Sequence, residues 1–138
     1  MKCLTICQPY AHLIVTGAKR VENRSWPTRY RGPLLIHAGV SRAWMDCADA
    51  HMVRCYGEPL VFGAVVGRAQ LVECVLLTEI THPRICKRFP WLRKHDHAEG
   101  PWCWVLEDVE RFMVPTPIRG RLGLFDVPDN FGAAPLAP

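Results

Sequence analysis

The segment from Gly17 to Trp26 holds the residues best suited to chemistry. Lys19, Glu22 and Arg24 place a carboxylate between two cations, and an indole follows two residues later. Lysine and arginine can bind phosphate, and a carboxylate can accept a hydrogen bond from the amino group of a base. The set therefore predicts a site for a nucleotide or nucleic acid. The alternative is an ion-pair ladder on the surface beside a half-buried tryptophan.

A β-strand is expected to position this set. Residues 20–26 alternate so that Glu22, Arg24 and Trp26 share one face of an extended chain. Glu22 and Arg24 can then form an ion pair on that face. Lys19 precedes the strand and is expected at its rim.

The rest of the chain predicts short strands and few helices. Pro9 can stand at the first turn of one helix, and Ser41 can cap a second that runs to about Cys55. Further strands are expected at residues 4–6, 34–38, 62–76, 102–106, 112–114 and 122–127, and a short helix near 83–89. This pattern predicts an α+β domain built on a small mixed barrel or a twisted open sheet, and periodicity leaves both open.

Length and composition predict one domain. The 138 residues are 49% hydrophobic and 22% charged, which is ordinary globular usage and excludes a coiled coil. We assign residues 1–128 to the domain and predict that residues 129–138, rich in proline and alanine, form a flexible tail. No apolar run approaches the ~20 residues of a membrane span, and the first residues favour a strand over a signal peptide. We therefore expect a cytoplasmic protein that does not enter a membrane.

Basic residues beside glycines form a second candidate feature. The formal charge of +4 favours a polyanionic partner. In Arg31-Gly32 and Arg119-Gly120-Arg121, guanidinium groups lie next to glycines, where backbone N–H groups can also approach a phosphate. The alternative interpretation is a turn at the start of a strand.

The cysteines and histidines do not predict a metal site. Seven cysteines are scattered without a Cys-x-x-Cys pair, so free thiols in a reducing compartment are expected. Cys86, His95, His97 and Cys103 are residue types that bind zinc, but their spacing matches no short zinc knuckle. We predict no metal and no cofactor.

Other aromatic residues allow two interpretations. Trp26, Trp102 and Trp104 could stack on a base, but Trp102 and Trp104 share a strand face, so at least one of them is expected in the core. His37 ends an apolar strand and is expected to be a hydrogen-bonded core or rim histidine rather than a catalytic base.

Four motifs carry a resemblance to a known family. They are Gln8-Pro9-Tyr10-Ala11, Gly17-x-Lys19-x-x-Glu22-Asn23-Arg24-x-Trp26, Tyr30-Arg31-Gly32-x-Leu34-Leu35-Ile36-His37-Ala38 and Arg119-Gly120-Arg121-Leu122-Gly123-Leu124-Phe125-Asp126-Val127. Together they extend over most of the chain and resemble the ASCH family, whose domains are similar to the PUA fold. The resemblance implies a small PUA-like β-barrel of about five or six strands with flanking helices.

The resemblance also implies a cleft beside the first helix that binds RNA or another nucleic acid, or a nucleoside. Its lining is expected to come from the Gly-x-Lys-x-x-Glu-x-Arg motif, with an aromatic side chain as a flat wall and further arginines on phosphate or base edges. The predicted ligand-binding residues are Tyr10, Lys19, Glu22, Arg24, Trp26, Arg31 and Arg121.

Two other functions stay open. One branch of the family looks like small amidohydrolases that remove an acyl group from N4-acylated cytidine with a lysine, a threonine and a glutamate. Lys19 matches that lysine, but Glu22 stands where the threonine is expected, and Tyr10 replaces a usual tryptophan. In such an enzyme Lys19 and Glu22 would be catalytic and would move protons through a held water. The third possibility is a protein-interaction module whose basic face binds an acidic partner.

Overall fold

The computed structural model describes residues 1–55, 57 and 59–128. The predicted tail at residues 129–138 lies outside the described residues. In chain order the elements are β1 (Lys2–Ile6), α1 (Tyr10–Val15), β2 (Val21–Arg24), β3 (Gly32–Ala38), α2 (Ala48–Cys55), β4 (Ala64–Leu76), α3 (Pro83–Arg88), β5 (Trp102–Pro117) and β6 (Leu124–Asp126), with 3-10 turns at Leu77–Glu79 and Leu92–Lys94.

The described strands form one six-stranded sheet that curls into a half-barrel. The strand order is β2-β5-β4-β3-β1-β6. β1 and β3 pair in parallel, and the other neighbours pair antiparallel. The predicted α+β class is therefore confirmed, and the choice between barrel and open sheet resolves to a curled sheet with β2 and β6 at its edges.

Helix α1 fills the concave side of the curl. Its buried residues include Ala11, Ile14 and Val15, and the helix that is expected after Pro9 begins at Tyr10. The surrounding core residues come from four strands: Leu4, Ile6, Leu34, Ile36, Ala38, Val66, Ala69, Leu71, Trp104 and Leu106. Fully burying one large aliphatic side chain stabilises the fold by about 1.5–3 kcal/mol. This core fixes α1 against β3, β4 and β5.

Gly67 permits the close packing between α1 and the long strands. A Cβ at this position would collide with the backbone oxygen of Glu110 and would lie 2.6 Å from Cγ1 of Val15. The glycine is therefore required where β4 bends around the helix.

The opposite face of the sheet has its own packing. Alternate residues of β5, Cys103 and Val105, join Val21 and residues of α3 in a second cluster. His37 is buried, and its two ring nitrogens lie 3.1 Å from Oγ1 of Thr5 and 2.9 Å from the Ile118 carbonyl. The prediction of a hydrogen-bonded core histidine is confirmed.

Two predicted elements are wrong in extent. The strands expected at 102–106 and 112–114 are one strand, β5, because the polar residues between them lie on the ladder with β4 and include Glu110, paired with Arg68 at 2.7 Å. The second helix begins at Ala48, not Ser41. Oγ of Ser41 accepts from the backbone N–H of Ala43, so this serine stabilises a local turn instead of a helix end.

Among the described residues, none of the helices has both the length and the apolar character needed to cross a membrane.

Candidate functional site

A cleft of about 270 Å³ opens between the end of β1, the start of α1 and β2. β1 and β2 are not neighbours in the sheet, because β5, β4 and β3 lie between them. The cleft therefore occupies the side of the curl where the two strands approach each other without a backbone ladder. It is lined by Thr5, Ile6, Cys7, Tyr10, Lys19, Glu22, Asn23, Arg24, Trp44, His97 and Glu99.

Three charged side chains form an ion triad in this cleft. Oε1 of Glu22 lies 2.8 Å from Nζ of Lys19, and Oε2 lies 2.8 Å from a guanidinium nitrogen of Arg24. The predicted pair between Glu22 and Arg24 is confirmed. Since each carboxylate oxygen has a cationic partner, the negative charge of Glu22 is compensated on both oxygens.

Lys19 is buried, so its expected place at the rim is wrong. Its side chain is only 5% exposed. Gly17, at φ +88°, turns the chain after α1, and the backbone N–H of Lys19 then donates to the Leu13 carbonyl at 2.9 Å. This backbone contact folds the lysine beneath the helix, where strand alternation cannot place it.

Arg24 links the two sides of the cleft. Besides its ion pair with Glu22, its NH2 group donates to the Thr5 carbonyl at 2.8 Å. Its Nε is buried and has no hydrogen-bond partner among the described residues. A buried donor of this kind is rare in folded proteins and marks a position that a ligand atom can satisfy.

Tyr10 and Trp44 supply the aromatic surfaces. The Tyr10 ring lies 4.8 Å from Nζ of Lys19 and makes edge contacts with Trp44 and His97. Burial, and then a 3.7 Å contact with Sγ of Cys47, raises the pKa of the Tyr10 hydroxyl, which stays protonated. Trp44 is 52% exposed and leaves ring surface open to a ligand.

Asn23 fastens the loop that forms one wall of the cleft. Its Nδ2 donates to the His97 carbonyl at 2.8 Å, and its Oδ1 accepts from the backbone N–H groups of Glu99 and Gly100 at 3.0 and 2.7 Å. Three bonds from one side chain thus hold residues 97–100 against β2. Asn23 positions His97 and Glu99 in the cleft.

Of two neighbouring histidines, His97 lines the cleft and His95 lies beside it, with the ring centroids 5.6 Å apart. The backbone N–H of Arg20 donates to Nε2 of His95 at 3.0 Å, which requires that nitrogen to be unprotonated. Burial, reinforced by His97 and Arg20, lowers the pKa of His95. Nε2 of His97 lies 3.4 Å from a carboxylate oxygen of Asp49 on α2, and its Nδ1 is buried without a partner among the described residues.

Not every predicted ligand-binding residue reaches the cleft. Tyr10 joins the ion triad there, but Trp26 packs edge-on against Trp104 with ring centroids 4.8 Å apart. The expectation that Trp26 extends the strand face is wrong, because β2 ends at Arg24. Arg31 pairs with Glu73 of β4 at 3.0 Å, away from the cleft, and Arg121 lines a neighbouring groove.

Sequence reasoning missed several cleft residues. Asn23 lies within the recognised motif, so its polar side chain offered a local signal. Thr5 on β1, Trp44 before α2, and the pair His97 and Glu99 come from three separate segments, and only the tertiary structure brings them together.

The four candidate zinc residues are held by other contacts. Sγ of Cys86 donates to the Ile80 carbonyl, and Cys103 lies beside Asn23. Within residues 1–55, 57 and 59–128, no three histidine, cysteine, aspartate or glutamate side chains are grouped so as to hold a metal ion.

Replacement of Asn23 tests its fastening role. We expect Asn23→Ala to lower the free energy of unfolding by about 1–3 kcal/mol, because three hydrogen bonds are lost. The measurement is urea unfolding together with hydrogen exchange at the amides of Glu99 and Gly100. Asn23→Asp keeps the acceptor for both amides and should lose less. Wild-type stability with both amides still protected in Asn23→Ala would contradict the role.

The half-buried His95 predicts a dependence of stability on pH. Its pKa is lower in the folded protein than the ordinary value of 6.5, so the unfolded chain binds more protons just below that value. The free energy of unfolding should therefore fall as the pH drops below 6.5. Urea unfolding at about pH 7.5 and about pH 5.5 measures this loss. His95→Gln retains an acceptor for Arg20 but does not titrate, and it should show a smaller loss; an equal loss in both proteins would refute the assignment.

Comparison with known proteins places the chain in a family. Activating signal cointegrator 1 from Homo sapiens and its namesake from Mus musculus are each 28% identical over 130 residues, which cover 86% of this chain and 21% of each relative. The chain thus spans only 21% of the length of these relatives. The crystal structure of ASCH from Zymomonas mobilis has a TM-score of 0.54 at 15% identity over 93% of this chain and 87% of that one, and supports the PUA-like fold. The model of the ASCH domain matches residues 4–116, and the chain therefore belongs to the ASCH domain family.

Proposed function

We propose that the cleft binds a base of RNA or another nucleic acid, or the base of a free nucleoside or nucleotide. The observation that carries this proposal is a pair of buried polar atoms that have no hydrogen-bond partner among the described residues. They are Nε of Arg24 and Nδ1 of His97, both on residues that line the cleft. A guanidinium N–H can only donate, whereas a ring nitrogen of histidine can donate or accept. The edge of a base offers both complements.

The charges of the cleft favour a base over a phosphate. Lys19 and Arg24 line it together with Glu22 and Glu99, so the cationic and anionic side chains balance. Both cations are already paired with Glu22 at 2.8 Å. A neutral, planar, polar group therefore suits this site better than a phosphate, which needs a net positive surface.

The exposed indole of Trp44 provides a stacking surface for that base. Stacking of a base on an aromatic side chain contributes about 1–3 kcal/mol in single-strand binding proteins. A base can reach the cleft only when it is unstacked, so single-stranded regions are the proposed targets.

The domain boundary and location belong to the same proposal. We propose that residues 1–128 form the binding unit and that it works in the cytoplasm. The free state of all seven cysteines supports a reducing compartment.

The test is a binding titration of fluorescein-labelled single- and double-stranded RNA and DNA at two salt concentrations. We expect Trp44→Ala to weaken single-strand binding by about fivefold or more, because a stacking contact is lost. The double variant Lys19→Ala with Glu22→Ala should also lose binding, since it removes the centre of the site. Met113→Ala is the matched control, because Met113 is also 52% exposed but lies on β5 outside the cleft. Equal binding by wild type and both cleft variants would reject the proposal.

A second candidate function is hydrolysis of an N4-acylated cytidine. The buried pair of Lys19 and Glu22, in a cleft sized for a base, is the observation that favours it. With no hydroxyl at position 22, water would add to the acyl carbon and the bond between that carbon and N4 would break. A proton from the water would pass to N4, which gives the carboxylic acid and cytidine.

Acetate release from N4-acetylcytidine decides between binding and hydrolysis. An amidohydrolase should release acetate and cytidine in equal amounts, and Lys19→Met should abolish the release because the proton donor is removed. Trp44→Ala should raise KM more than it lowers kcat. Wild-type protein that releases no acetate at enzyme concentrations near that of the substrate would remove this function.

A further inference from the structure

A second groove, of about 450 Å³, adjoins the cleft. Thr5 and Cys7 line both, so the two depressions are continuous across the end of β1. The groove is lined by Val40 and by the segment Ile118 to Leu122, among other residues.

We propose that this groove holds the neighbouring nucleotide of a strand whose base occupies the cleft. This inference rests on the proposed function and deepens it, because it assigns a single-stranded oligonucleotide rather than a free nucleoside as the ligand. Arg119 and Arg121 would bind the phosphate between the two nucleotides. The apolar side chains of the groove, Val40 and Leu122, would contact the second base or its ribose.

The charge of the groove differs from that of the cleft. No aspartate or glutamate is among its described lining residues, whereas two arginines are. Both arginines are exposed, and neither has an ion-pair partner within the described ranges. Arg24 and Arg31, by contrast, are bound to carboxylates. The cations free to bind phosphate are therefore found beside the cleft rather than within it.

The segment that carries these arginines is anchored to the sheet. The Ile118 carbonyl lies 2.9 Å from Nε2 of His37. Gly120 packs so closely that an added Cβ would lie 2.8 Å from Oγ1 of Thr5. A phosphate-binding segment held in this way loses little conformational entropy when a ligand binds.

The apolar side chains of the groove are unusually open to solvent. Leu122 is 99% exposed and Val40 is 76% exposed, and both line the groove. Aliphatic groups beside free arginines match the mixed surface of a nucleotide, which combines an apolar base face with a charged phosphate.

The test compares a ligand that fills only the cleft with one that fills both sites. Cytidine and a fluorescein-labelled single-stranded hexanucleotide are titrated into wild type, Arg121→Gln and Leu122→Ser. We expect both variants to weaken hexanucleotide binding by about fivefold or more and to leave cytidine binding unchanged. Arg121→Gln should also reduce the slope of log affinity against log salt by about 0.7, because one phosphate contact is lost. Arg84→Gln, an exposed arginine of α3 outside both depressions, is the control and should change neither.

The outcomes separate this inference from the proposed function. Hexanucleotide binding that needs Trp44 but is unaffected in Arg121→Gln and Leu122→Ser would overturn the role proposed for the groove and leave the role proposed for the cleft standing. Failure of wild type to bind either probe would overturn both. A wild-type dimer in sedimentation that Leu122→Ser dissociates would assign the groove to a second copy of the chain and would also overturn the inference.

Discussion

The curled sheet is left open between its edge strand β2 and the last residues of β1, and Arg24 bridges this opening. Those last residues of β1, Thr5 and Ile6, extend beyond its ladder with the other edge strand, β6. No backbone ladder joins these strands, since three others separate them in the sheet. The guanidinium of Arg24 instead donates to the Thr5 carbonyl at 2.8 Å. Unpaired strand edges are liabilities that proteins cover with side chains, loops or helices. Here α1, the loop at residues 97–100 and the ion triad cover the opening incompletely, and the space that remains is the cleft.

The ion triad that lines the cleft also supports the fold. Removing one partner of a buried ion pair destabilises a protein by about 3–5 kcal/mol, because the other charge is left uncompensated. Glu22 compensates two cations, so the loss of its carboxylate would leave both Lys19 and Arg24 without that ion-pair partner. The motif is thus constrained by folding as well as by any ligand. Under the proposed function, recognition in the cleft would then rely on groups that the triad leaves unpaired, such as Nε of Arg24. The net charge of the triad would contribute little.

Local patterns predicted the features that depend on neighbouring residues. Strand alternation was sufficient for the pair of Glu22 and Arg24, and helical spacing after Pro9 was sufficient for the existence of α1. The burial of Lys19 depends on a backbone bond to Leu13 that no side-chain pattern reports. His97 reaches the cleft because Asn23, 74 residues earlier in the chain, binds its carbonyl. Tertiary contacts of this kind, and not propensity, decide which polar residues share a site.

In the proposed complex, the two depressions would divide affinity from specificity in a way that their charges explain. Contacts to phosphate contribute strength without reading sequence, and contacts to base edges discriminate. A neutral base would leave the ion pairs of the cleft in place, whereas a phosphate there would compete with Glu22 for its cations. Arginines without carboxylate partners can bind phosphate at no such cost. Thr5 and Cys7 border both depressions. One nucleic-acid strand could therefore place a base in the cleft and a phosphate on these arginines only if its backbone crosses the end of β1.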